Sequence, residues 1–215
     1  MKHDYSLYLV TDRGLSLGRS SLDIVEEAVC GGVTCVQIRE KTCSSREFVG
    51  EAKGLQNLLK PVGIPLIVND RIDVAMAVGA AGVHLGQQDI DLRDARKILG
   101  ADFIIGISVE SVDDALTAEA GGADYLGVSP VFATSTKRDT APALGLSGLA
   151  AIRETVDLPL VAIGGINHRN CAEVIAAGAD GIAVVSAIVS APSPREAAFA
   201  LRRAAGLPTI TRGNL

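Results

Sequence analysis

The chain has 215 residues, 48% of them hydrophobic and 21% charged, which fits a compact globular domain and excludes a disordered one. A formal net charge of −5 argues against a broad nucleic-acid surface, though not against a local basic pocket. No apolar stretch approaches the ~20 residues a membrane span needs, and Met1-Lys2-His3-Asp4 leads into a strand without a signal-peptide core, so a cytoplasmic protein with no membrane partner is expected.

Apolar runs alternate with amphipathic segments along the chain. The first strand is expected over Leu7–Asp12, followed by a helix opened by Ser20-Ser21-Leu22-Asp23. The second strand covers Cys35–Arg39, and Ser44-Ser45 opens the helix after it. Strands follow at Pro65–Asn69, Gly82–Leu85 and Phe103–Ser108, then a helix from Ser111, where Asp114 three residues on resembles a capping box. The last strands are Tyr125–Ser129, Pro159–Gly164 and Gly181–Ser186. All are continuous apolar runs, the pattern of parallel strands covered on both faces. Glycines close the helices, and a helix-stop, short loop and strand start recur at Ala80-Ala81-Gly82-Val83, Gly121-Gly122-Ala123-Asp124 and Ala177-Gly178-Ala179-Asp180.

Eight βα units in so short a chain favour an α/β fold of one (β/α)8 TIM barrel over an open doubly wound sheet. No Gly-x-Gly-x-x-Gly follows the first strand, which removes the main support for a dinucleotide fold. One domain over 1–215 is expected, with the barrel at about residues 7–205 and a frayed tail at 209–215.

In such a barrel, chemistry collects at the C-terminal ends of the strands. The second strand delivers Gln37 and Arg39 on one face, toward the barrel mouth, with Glu40 and Lys41 beyond. An inward guanidinium needs an anion, either a ligand or an internal carboxylate such as Glu40. The third strand ends in Asn69-Asp70-Arg71 and the fourth in Gly86-Gln87-Gln88-Asp89. Asp70 and Asp89 meet at adjacent strand ends, where two carboxylates share a proton, meet a cation or face solvent. Oxygen ligands without Cys or His favour Mg²⁺; the plainer reading makes each aspartate a helix N-cap. Ser108 ends the fifth strand, where it could equally cap the next helix.

After the sixth strand comes Ser129-Pro130-Val131-Phe132-Ala133-Thr134-Ser135-Thr136-Lys137, a hydroxyl-rich cationic loop suited to an anion. Residues 133–145, with Thr134, Lys137, Thr140 and Pro142, read as a lid. Gly164-Gly165-Ile166 and Val185-Ser186-Ala187 end the last two strands, where this fold often binds phosphate: Gly165 permits close backbone approach, and Ser186 adds a hydroxyl at a helix start. Tight turns of small residues are the alternative there. His84 sits inside a strand, where it bonds a core backbone group or contacts ligand; the sequence leaves both open.

Cys30, Cys35, Cys43 and Cys171 form no Cys-x-x-Cys pair, and His3, His84 and His168 are scattered, so no zinc site is expected. These read as reduced thiols. Lys41, close to Cys43, could lower that thiol's pKa.

The chain resembles the thiamine-phosphate synthase family. The matching motifs are Gln37-Ile38-Arg39-Glu40-Lys41, Asn69-Asp70-Arg71, Gly82-Val83-His84-Leu85-Gly86-Gln87, Pro130-Val131-Phe132 with Thr134-Ser135-Thr136-Lys137, Ala162-Ile163-Gly164-Gly165-Ile166 and Gly178-Ala179-Asp180-Gly181. The strand-six end reads Ser129-Pro130 where many members resemble Gly-Pro. The resemblance implies a transferase that joins hydroxymethylpyrimidine diphosphate to thiazole phosphate, giving thiamine phosphate and pyrophosphate. It implies a pyrimidine-diphosphate site at Gln37, Ile38, Arg39, Glu40, Lys41, Asn69, Ser108 and Lys137. Of these, Arg39, Lys41, Ser108 and Lys137 take catalytic roles. It implies one Mg²⁺ on Asp70 and Asp89, and thiazole-phosphate contacts at Thr134, Ser135, Thr136, Gly165, Val185 and Ser186. Its partners are then two small phosphorylated molecules; homo-oligomerisation is left open. A thiazole tautomerase of the same barrel family, or a non-catalytic sensor of thiamine precursors, is the rival reading. A phosphosugar epimerase lacks its paired histidines here.

Overall fold

The computed structural model describes residues 3–134, 142–208 and 210. Eight parallel strands close in sequence order: β1 (Leu7–Val10), β2 (Cys35–Ile38), β3 (Leu66–Asn69), β4 (Gly82–Leu85), β5 (Ile104–Val109), β6 (Tyr125–Val128), β7 (Leu160–Ile163) and β8 (Gly181–Val184), with β8 pairing back onto β1. The helices between them are α1 (Ser21–Cys30), α2 (Ser45–Leu59), α3 (Ile72–Val78), α4 (Leu92–Leu99), α5 (Val112–Gly121), α6 (Gly145–Arg153) and α7 (Cys171–Ala176). After β8 come a short α8 (Ser186–Val189) and α9 (Pro194–Ala204). The α/β reading as a (β/α)8 barrel is therefore correct, with half of the strand ends a residue or two short of their apolar runs and β5 running one residue further, to Val109.

Strand alternation divides the apolar side chains into two layers. Leu7, Leu9, Val36, Ile38, Leu66, Val68, Val83 and Leu85 face outward against the helices, with their counterparts on β5–β8. Tyr8, Val10, Cys35, Ile67, Ile104, Tyr125, Val161 and Ala183 fill the interior. Both faces are dry, which is why the strands read as unbroken apolar runs.

The helices start where their caps dictate. Ser20 Oγ accepts from the Asp23 N–H at 3.1 Å. At α2, Ser44 and Glu47 form a reciprocal capping box. Ser111 Oγ accepts from Asp114 N–H at 3.1 Å, but Asp114 reaches back to the Glu110 N–H, one residue earlier than in a capping box.

The Gly-Ala-Asp repeat has a structural reason. Asp124 Oδ2 accepts from the Ile105 N–H of β5 and pairs with Arg96 of α4, each at 2.7 Å. Asp180 Oδ2 does the same one repeat later, taking the Leu160 N–H at 2.8 Å and Arg153 of α6 at 3.1 Å. Each aspartate ties the start of its own strand to the strand and helix of the preceding units. The functional ends of the strands are thereby left to other residues.

Candidate active site

The C-terminal ends of β2, β3 and β4 bring charged side chains together. Arg39 Nη1 lies 3.4 Å from Asp12 Oδ2 beyond β1, so its internal carboxylate is Asp12 rather than Glu40. Lys41 Nζ pairs with Asp70 Oδ2. Asp70 itself adopts φ 62°, a left-handed conformation that costs an ordinary residue about 1–2 kcal/mol. Its N–H donates to the His84 carbonyl at 2.9 Å, which holds the turn. Such strain at a strand end is characteristic of functional positions.

Asp89 Oδ2 accepts from the Gly86 N–H at 2.6 Å. Desolvation first, and then the neighbouring Asp70, raises its pKa above the ordinary carboxylate value. Neither aspartate caps a helix: Asp91 caps α4 through the Arg93 N–H at 2.8 Å, and α3 starts after Arg71 with no side-chain cap. The capping reading of the two aspartates is corrected on that ground. Two neighbouring carboxylates, one with a raised pKa, form an oxygen donor set that suits a hard cation. Among the described residues no third His, Cys, Asp or Glu joins them.

Other predicted residues of this half divide by parity. Gln37 and Asn69 are buried. Ile38 packs in the outer layer, so only its backbone could face a ligand. The Glu40 side chain is 3% exposed and turned toward Arg13, at 3.5 Å from Nε, and its Oε1 has no hydrogen-bond partner. Desolvation, then Glu51, raises its pKa. Cys43 is shifted up as well, by desolvation first and then Glu40, which corrects the expectation that Lys41 would lower it.

Across the barrel, the loop after β6 lies over the end of β7. The Val131 N–H donates to the Ile163 carbonyl at 2.9 Å and the Phe132 N–H to the Gly164 carbonyl at 3.1 Å. Gly165 has φ 65°, and a Cβ there would sit 2.8 Å from both the Ala133 carbonyl oxygen and Phe132 Cβ. Only glycine fits beneath that loop. Thr134 is half-buried at its end; Ser135, Thr136, Lys137 and Thr140 lie outside the described residues. Val185 packs partly against the interior cluster, and Ser186 is exposed at the start of α8.

At the centre of the barrel, sequence reasoning singled out Gln37, His84 and Ser108 but missed the two tyrosines that join them. Gln37 Nε2 donates to the Tyr8 hydroxyl at 3.0 Å, which meets the Tyr125 hydroxyl at 2.9 Å. Tyr125 meets His84 Nδ1 at 2.9 Å, and His84 Nε2 meets Ser108 Oγ at 2.9 Å. Ser111 is the cap of α5, which frees the Ser108 side chain for this contact. Alternation could have revealed the line, since Gly82, His84, Tyr125 and Gly127 share the inward parity of Gln37.

A parallel barrel with cations and paired carboxylates at the ends of β2–β4, and a glycine turn under a loop at β7, has the layout of an enzyme that handles phosphorylated substrates. Comparison with known proteins narrows that class. Residues 7–188 match the family described as thiamine monophosphate synthase. The chain is 54% identical over 199 residues to the thiamine-phosphate synthase of Chloroflexus aurantiacus, covering 93% of this chain and 92% of that one. It is 53% identical over 200 residues to the thiamine-phosphate synthase of Syntrophomonas wolfei, covering 93% and 96%. Among solved structures, thiamine phosphate pyrophosphorylase from Pyrococcus furiosus superposes with a TM-score of 0.88 at 42% identity, covering 95% and 97% of the two chains. The chain belongs to the thiamine monophosphate synthase family and is a transferase of thiamine biosynthesis.

Proposed function

We propose that this enzyme joins 4-amino-2-methyl-5-(diphosphooxymethyl)pyrimidine to 4-methyl-5-(2-phosphoethyl)thiazole, releasing pyrophosphate and forming thiamine phosphate. The observation that carries the reading is the Lys41–Asp70–Asp89 cluster at the ends of β2, β3 and β4, with Arg39 beside it. A tautomerase acting on thiazole phosphate alone has no use for that charge.

A diphosphate ester carries roughly −3 near neutral pH. Arg39 and Lys41 supply two of the balancing charges, and Lys137 supplies a third from the sequence that follows Thr134. Asp70 and Asp89 would hold one Mg²⁺, which when bound offsets both their charge and that of the leaving group.

Ser108 Oγ meets the His84 imidazole at 2.9 Å, but a diphosphate ester already carries its leaving group and needs no covalent intermediate on the protein. The chemistry proposed is a dissociative displacement. The bond between the pyrimidine methylene carbon and the diphosphate oxygen breaks, and its electron pair leaves with pyrophosphate. The thiazole nitrogen then donates its lone pair to the methylene carbon. The chain aligns the two substrates, stabilises the departing charge and excludes water. Gly165, Val185 and Ser186, with Thr134, Ser135 and Thr136, serve the thiazole phosphate on the β6–β8 side. The purified chain should form thiamine phosphate only when both substrates are present; conversion of the thiazole phosphate alone would instead mark a tautomerase, and binding without turnover a sensor.

A further inference from the structure

The line from Gln37 to Ser108 has a direction. The Gln37 amide N–H can only donate, so the Tyr8 oxygen accepts it. One consistent direction from there has Tyr8 donating to Tyr125 and Tyr125 donating to His84 Nδ1, at contacts whose distances admit either donor. A neutral imidazole that accepts at Nδ1 carries its proton on Nε2. That proton points at Ser108 Oγ. In that direction Ser108 accepts, and its O–H is left to donate elsewhere.

The barrel is shaped around this line. His84, Gly106 and Tyr125 are register partners across β4, β5 and β6, and the Tyr125 ring occupies the space a Cβ on Gly106 would need. A Cβ on Gly127, partner of Ser108, would lie 2.8 Å from His84 Cε1. Both glycines leave room for the two rings. Burial pushes the Tyr8 and Tyr125 hydroxyls well above their ordinary pKa, so both stay protonated.

We propose that Tyr8 and Tyr125 are positioning residues that hold His84 as its Nε2–H tautomer, so that Ser108 accepts from the imidazole and turns its own O–H toward an acceptor atom of the bound substrate. The tautomer is inferred from this chain's own contacts; only the identity of the substrate rests on the proposed function. Tyr125 touches no reacting atom and acts through His84.

The test is ¹⁵N NMR of the full chain labelled at histidine, without substrate, where the two nitrogens of a neutral imidazole give separate pyrrole-like and pyridine-like shifts. His84 should show a pyrrole-like Nε2 and a pyridine-like Nδ1. Tyr125→Phe should move His84 toward the Nδ1–H form, and a misplacement of this kind lowers kcat about 10–100-fold, with the thiazole-phosphate KM unchanged. A wild-type His84 that is Nδ1–H or doubly protonated overturns the inference, because the line then runs the other way or is broken. So does a His84 spectrum unchanged by Tyr125→Phe. Where that variant fails to fold, the wild-type spectrum alone decides. An expected spectrum in a chain that makes no thiamine phosphate would refute the proposed function and leave the positioning roles standing.

Discussion

Asp70 and Asp89 carry the sharpest claim about single residues. Each sits where a plainer role was available, and neither takes it: the cap of α4 is Asp91 and α3 has none from a side chain. Two neighbouring carboxylates that raise each other's cost of ionisation are unfavourable without a cation or a shared proton. Chelation of divalent metal should abolish turnover and added Mg²⁺ should restore it, while Asp70→Ala should lose most activity at any Mg²⁺ level. Full turnover after exhaustive chelation, or a wild-type rate in Asp70→Ala, would remove the metal from the account.

Glu40 makes a different statement, about stability and pH. Its folded-state pKa is raised, by desolvation first. A raised carboxylate favours folding while it is protonated, below the unfolded carboxylate range, and loses that contribution as pH climbs through the folded value. Glu40→Gln should therefore gain stability relative to wild type as pH rises from acid to neutral. Urea midpoints across that range measure it; a wild-type advantage that grows with pH would show that the Arg13 pair outweighs desolvation.

At the scale of elements, the loop after β6 and the turn after β7 form one unit, locked by the Val131 and Phe132 backbone bonds over Gly164 and Gly165. Gly165→Ala forces a positive φ worth about 1–2 kcal/mol on a side-chain-bearing residue and pushes against Ala133 and Phe132. It should raise the KM for thiazole phosphate far more than that for the pyrimidine diphosphate. Equal increases in both would mean that the loop serves the other half of the site.

The Gly-Ala-Asp repeat belongs to the same scale, at the opposite ends of the strands. The repeat was visible in the sequence as a helix stop and strand start, but the purpose of its aspartate was not. Asp180 satisfies a backbone N–H of β7 and Arg153 of α6, partners 20 and 27 positions away that only closure brings near. Asp180→Ala leaves that N–H unmet and should cost about 1–3 kcal/mol, read as a lower urea midpoint with unchanged KM values. A midpoint within error of wild type would leave the tie without weight.

The whole molecule was the most legible level. Eight apolar runs covered on both faces, separated by capped helices, admit few arrangements, and strand-end residues could be read as site candidates because the barrel places strand ends together. What escaped was lateral. Arg39 meets Asp12 rather than Glu40, and Tyr8 meets Tyr125 across the barrel, because such pairs depend on strand tilt and register rather than on spacing along the chain. His84 was left open between two roles and takes a third, joining Tyr125 to Ser108.

Lys137 follows the described part of the β6–α6 loop, and its role rests on the sequence. If its ammonium stabilises the leaving pyrophosphate, Lys137→Ala lowers kcat by ~10²–10³ with an intact fold; a change confined to KM would make it a binding residue only. One barrel end is proposed to hold two phosphorylated substrates and to transfer the pyrimidine group of one to the nitrogen of the other. The most direct test is a pyrophosphate-release assay on the purified chain with each substrate alone and with both together. Pyrophosphate and thiamine phosphate should appear in equal amounts, only in the complete mixture and only with Mg²⁺. No release from the complete mixture, or release that does not depend on the thiazole phosphate, would contradict it.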